Sequence, residues 1–133
     1  MDILLISDQP LTVLALRSVL GRDEPVAEVV DASHLAEAMA MLARHTFDLL
    51  VLDLDTHGVR AVGTSTLLRD MWPQLPLALL SSGDSDSDIV RSVDLGISGY
   101  VLKSADTFTL RNAFRQMLSG DVYMPEFCLV AEQ

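Results

Sequence analysis

Residues 49–58 read LLVLDLDTHG, an apolar run that passes without a break into two acids one residue apart, Asp53 and Asp55. An ionised carboxylate at the edge of a core costs on the order of several kcal/mol unless a partner meets it. The stretch therefore reads as a buried strand whose last residue carries a charge that some other part of the chain must satisfy. The plainer alternative is a strand that ends in polar loop residues.

Working outward, the same kind of apolar run recurs as ILLI (3–6), VAEVVDA (26–32), LALLS (77–81) and GYVLK (99–103), with DLLVLD (48–53) at the centre. The intervening segments have helical period. Pro10 suits a first helical turn and Gly21 a stop, while Leu35, Met39 and Leu42 share one face ahead of Phe47. Ile89 and Val93 precede a stop at Gly96, and Leu110, Phe114 and Met117 lead to Gly120. Segment 60–71 is a weaker helix, since Gly63, Thr64 and Thr66 are poor formers, yet Leu67, Leu68 and Met71 cluster before Trp72-Pro73. Strands that are apolar throughout, each followed by a helix, predict an α/β fold: one doubly wound, five-stranded parallel sheet covered on both faces.

The composition is compatible with this and narrows the function. The chain has 133 residues, half of them hydrophobic, which is enough for one domain with a sizeable core. Nine Lys and Arg against nineteen Asp and Glu give a net charge of −10, the wrong sign for gripping a phosphate backbone. The opening ILLI is too short to span a membrane and lacks the flanks of a signal peptide, so a cytoplasmic location without membrane contact is expected. Cys128 is the single cysteine and reads as a small hydrophobe. None of His34, His45 and His57 has metal-ligand spacing, and all three read as exposed loop residues. The run DSDSD (84–88) imitates half a calcium loop but has Ile89 where Gly belongs and Leu95 where the closing Glu belongs, so it reads as a helix cap through Ser85 or Asp86.

In open parallel sheets ligands sit beyond the carboxyl ends of the strands. Those ends are Ser7-Asp8 on the first strand, Asp53 on the third, Ser81-Ser82 on the fourth and Lys103 on the fifth. Two carboxylates, a hydroxyl and an ammonium would meet on one edge.

With these residues in view, ILLISDQP, LLVLDLDTHG, LALLSSGD and GYVLKSAD, in that order, resemble the signatures of the receiver domain of two-component response regulators, in the LuxR-type flavour. The resemblance runs to about residue 125 and implies the flavodoxin-like (βα)5 strand order 2-1-3-4-5. It implies Asp53 as phosphoacceptor and Mg²⁺ held by Asp8, Asp53 and the backbone carbonyl of Asp55. Lys103 would pair with the phosphoryl group and Ser81 would donate its hydroxyl to it, with adjacent Ser82 as the other candidate. Ser81 and Tyr100 would form the switch, Tyr100 turning inward after modification or else simply packing. The residue types suit the chemistry, because a carboxylate that attacks an anionic phosphoryl donor needs a hard cation and a lysine to neutralise the gathering charge.

The resemblance further implies a sensor histidine kinase as partner, a homodimer, and DNA contact only through a C-terminal output domain outside these residues; the domain itself would not be an enzyme. Residues 1–120 would be the receiver and 121–133 an extension or linker. The apolar tail DVYMPEFCLV (121–130) is expected to pack on its own domain, on a dimer partner or on the output domain. Departures from the family pattern are Ser7 in place of the first of two acids, His57 in place of Pro, Arg60-Ala61 in place of Asn-Gly, and Ser104 after the lysine. They leave open a phosphate-independent module of receiver shape. LDLD also resembles the opening of haloacid-dehalogenase-type phosphatases, but His57 replaces their Thr or Val, the motif is not on the first strand, and no later acidic pair follows Lys103. A flavin-binding flavodoxin is disfavoured because SDQPLT (7–12) lacks a phosphate cradle's glycines.

Overall fold

The structure, a computed structural model, describes residues 1–21, 28–82 and 96–125. Strands β1 (Asp2–Ile6), β2 (Glu28–Ala32), β3 (Leu49–Asp53), β4 (Leu77–Ser81) and β5 (Gly99–Leu102) form one parallel sheet in the order β2-β1-β3-β4-β5. The described helices are α1 (Pro10–Leu20), α2 (Leu35–Arg44), α3 (Ala61–Met71) and α4 (Thr107–Leu118). The segment expected as a helix between β4 and β5, with its DSDSD run, lies outside the described residues, as do residues 26–27 of the second expected strand.

Alternation along each strand explains why the runs are apolar at every position. Ile3 and Leu5 of β1 join Leu16, Val19, Phe114 and Met117 on the face covered by α1 and α4, while Leu4 and Ile6 join Ala38, Leu42 and Leu68 beneath α2 and α3. Segment 60–71 is helical because its tertiary contacts override poor propensity: Leu68 is buried at 1 % exposure. Its expected companions Leu67 and Met71 are exposed, and the residues buried beside it are instead Thr64 and Ser65. His34 is not a plain loop residue, since its Nδ1 accepts the Glu37 N–H at 3.2 Å and caps α2.

The end of α4 shows how the tail is placed. Gly120 takes φ of 99°, Asp121 N donates to Gln116 O at 3.0 Å and Gly120 N to Met117 O at 3.1 Å, a left-handed termination that turns the chain back toward the sheet. Tyr123 then lies beside the free edge of β5, with Tyr123 N donating to Ser98 O (2.9 Å) and Tyr100 N to Tyr123 O (3.0 Å). Tyr123 thus joins the edge of the sheet through a single bridge to Gly99. Val122 is exposed, whereas Tyr123 and Met124 pack against the two cores. Cys128 and the rest of the tail lie outside the described residues.

Candidate phosphoacceptor site

Register brings the strand ends together. Ile6 pairs with Leu52, Asp53 with Leu80, and Ser81 with Leu102, so Asp53 and Ser81 end two adjacent strands and Ser7 directly follows the last residue of β1 beside them. Lys103, expected as the last residue of the fifth strand, lies one position beyond β5, and its N–H donates to Ser81 O at 2.8 Å.

Asp53 is fully buried, and each carboxylate oxygen has partners. Oδ1 receives Lys103 Nζ at 2.9 Å and the Asp55 N–H at 3.0 Å. Oδ2 receives the Ser7 hydroxyl at 2.7 Å. Ser7 is itself buried, and its Oγ also accepts the Gln9 N–H at 3.2 Å. The acid of the opening motif is thus satisfied by a lysine from the far end of the chain and a serine from the first strand.

Asp55 lies in the turn after β3 and is partly exposed. Its Oδ2 accepts Lys103 Nζ at 3.0 Å, Ser82 Oγ at 2.6 Å and the Ser82 N–H at 3.2 Å. Burial pushes this carboxyl up, but the hydrogen bonds from Ser82 and Lys103 together with the lysine's charge outweigh it and hold the group below its usual range.

The other expected residues are placed as follows. Asp8 is exposed beside the site, and its Oδ2 accepts the His57 N–H at 3.0 Å. Ser81 is buried at the end of β4, while the hydroxyl of Ser82 engages Asp55. Tyr100, expected either to turn inward after modification or simply to pack, is 1 % exposed and packs with Leu77, Leu79 and Ile97. His57 is exposed, as expected.

Sequence reasoning missed Gln9. It precedes Pro10 at the start of α1, its Oε1 accepts Lys103 Nζ at 2.9 Å, and its Nε2 donates to Asp55 O at 3.4 Å. Nothing in its spacing marks it, because the contacts join residues 94 and 46 positions apart.

Among the described residues no three acidic, His or Cys side chains converge as a metal cluster. The donor set at this edge is instead two carboxylates, Asp8 and Asp53, and the Asp55 carbonyl, whose contact to Gln9 is long and readily exchanged. That set of hard oxygens, with room for water on the exposed Asp8 side, fits Mg²⁺.

Comparison with known proteins agrees with the geometry. Residues 3–115 match the response regulator receiver domain. The chain is 29 % identical over 124 residues to the glycerol metabolism activator of Pseudomonas putida, covering 92 % of this chain and 56 % of the relative. It is 28 % identical over 125 residues to the nitrate/nitrite response regulator protein NarP of Escherichia coli, covering 94 % and 58 %. The chain thus spans somewhat over half the length of the curated relatives it matches. Among solved structures it superposes on a LuxR family DNA-binding response regulator from Silicibacter pomeroyi with a TM-score of 0.83 at 26 % identity, covering 96 % of this chain and 98 % of the other. The isolated receiver of RcsB from Salmonella enterica, in its apo form, shares the fold at a TM-score of 0.87 and 21 % identity, covering 100 % and 99 %.

Proposed function

Because the chain belongs to the family of response regulator receiver domains, we propose that Asp53 is its phosphoacceptor and that the domain switches a transcriptional output from the cytoplasm. Members of the family partner with sensor histidine kinases, act on DNA through output domains, and are typically signalling modules without catalysis of their own. The observation that carries the reading is a carboxylate at 0 % exposure, ending the central strand 2.9 Å from a lysine ammonium. Among the described residues no helix is long and apolar enough to cross a membrane.

In this reading an Asp53 carboxylate oxygen forms a bond to phosphorus as the phosphorus–nitrogen bond of a kinase phosphohistidine breaks, the imidazole leaving with the electron pair. Lys103 supplies positive charge beside the new group, and Ser81 or Ser82 supplies a hydroxyl. Asp8, Asp53 and the Asp55 carbonyl would hold Mg²⁺, which when bound neutralises charge on the phosphoryl oxygens. Ser7 keeps Asp53 hydrogen-bonded where most of the family has an acid. Tyr100 and Ser81 would pass the change to the surface, and homodimerisation would read it out.

The test is acetyl phosphate with Mg²⁺, followed by intact mass. A single added phosphoryl group that disappears in Asp53→Asn supports the reading; the same gain in Asp53→Asn overturns it. A phosphate-independent module is the second reading, favoured by the internal partners that Lys103 already has. It predicts no added mass at all.

A further inference from the structure

Lysine offers three N–H donors and no more. Lys103 Nζ has three oxygen partners: Asp53 Oδ1 at 2.9 Å, Asp55 Oδ2 at 3.0 Å and Gln9 Oε1 at 2.9 Å. Every proton of the ammonium is thus engaged within the chain, and a phosphoryl oxygen can gain one only by displacing a resident acceptor.

The three donors that converge on Asp55 Oδ2 are a cation, a hydroxyl and a backbone N–H. That combination suits an oxyanion of any origin. It is built by the segments that follow β4 and β5, so it exists independently of the turn that carries Asp55. The carboxylate, by contrast, sits on the turn after β3, outside any strand, with its side chain 32 % exposed.

We propose that the Asp55 carboxylate is a resident anion filling an oxyanion cradle made by Lys103 and Ser82, and that a phosphoryl group must displace it to bind. Asp55 is then a positioning residue that sets the affinity of the site for tetrahedral oxyanions. Gln9 reinforces the arrangement by holding the third lysine proton and the Asp55 carbonyl. Identifying the displacing ligand as the phosphoryl group on Asp53 rests on the function proposed above; occupancy of the cradle by Asp55 does not.

The test uses inorganic phosphate without divalent metal, in an Asp53→Asn background that cannot be phosphorylated there, read by the Ser82 amide shift and phosphorus resonance broadening. Adding Asp55→Ala is expected to lower the phosphate dissociation constant at least tenfold. Adding Asp8→Ala removes one negative charge beside the site but outside the cradle, and is expected to lower it less than threefold. Equal gains in both variants, or no gain in the Asp55 variant, overturn the proposal. Far-ultraviolet circular dichroism and dispersed amide spectra establish that each variant is folded, and Asp55→Asn repeats the comparison with side-chain volume kept. Acetyl phosphate labelling of the single Asp55→Ala variant separates the two readings: if Asp53 stays unmodified while phosphate binding has tightened, the cradle stands and the phosphoacceptor reading falls.

Discussion

Replacing Ser7 with the acid that most of the family carries there is the perturbation whose outcome the geometry constrains most. Ser7 Oγ donates to Asp53 Oδ2 at 2.7 Å, and both residues are buried, at 2 % and 0 % exposure. Ser7→Asp removes a hydrogen bond to a charged group, which contributes roughly 1.5–3 kcal/mol. It also sets two carboxylates in contact; at about 4 Å and an effective dielectric near 20 their repulsion is about 4 kcal/mol. Lys103, 2.9 Å from Asp53, offsets part of this, so the metal-free variant should lose about 3–5 kcal/mol, a large share of the roughly 5–15 kcal/mol that stabilises a typical domain. Two carboxylates in contact share a proton, which raises one folded-state pKa above its unfolded value of about 3.9. The deficit therefore grows as pH rises from about 4 through the raised value and is smallest in acid. Mg²⁺ relieves the same repulsion, so it should stabilise the variant more than the parent, with tighter binding and faster phosphorylation. Urea unfolding at pH 5 and pH 7.5, with and without saturating Mg²⁺, reads all of this. A metal-free variant as stable as the parent, or one that gains no more from Mg²⁺, would refute the assignment of Ser7 as the neutral partner of Asp53.

Three further outcomes are expected. Asp106 Oδ1 accepts the Thr109 N–H at 2.8 Å and caps α4, so Asp106→Ala should cost about 1 kcal/mol in urea unfolding, whereas Asp106→Asn should cost much less. Gly99→Ala drives a Cβ into Met117 Sδ and sets it 3.0 Å from the Tyr123 carbonyl oxygen; it should destabilise by about 1–3 kcal/mol and speed amide exchange at Tyr100 and Tyr123, whose hydrogen bonds hold the tail to β5. Unchanged exchange there would mean that the tail is held by other contacts. The carboxyl of Asp55 titrates below its ordinary value, so the stability it contributes is complete above about pH 4 and fades as pH falls through its folded-state value. In Asp55→Asn, the stability difference between pH 5 and pH 3 should therefore be smaller than in the parent.

Local pattern alone reveals the five strands, because an apolar run long enough to cross a sheet needs no knowledge of its neighbours, and Gly120 marks its helix end for a purely local reason. Asp53 is legible for the same cause: an acid at the end of a fully buried run demands a partner. The partners are not legible. Ser7 and Asp53 are 46 residues apart, and Gln9 and Lys103 are 94 apart; only the strand order, set by long crossovers, brings them into contact. Tyr100 lies inside, at 1 % exposure, in the cluster with Leu77, Leu79 and Ile97, a placement that its position along the chain does not reveal. Segment 60–71 shows the same division, since its weak propensity is overridden by the burial of Thr64, Ser65 and Leu68, which only the packed sheet supplies. Residue identity supplied the chemistry of this edge, while the division of three lysine protons among two aspartates and a glutamine is a property of the folded sheet, because electrostatic pairing depends on distance in space and not on spacing along the chain.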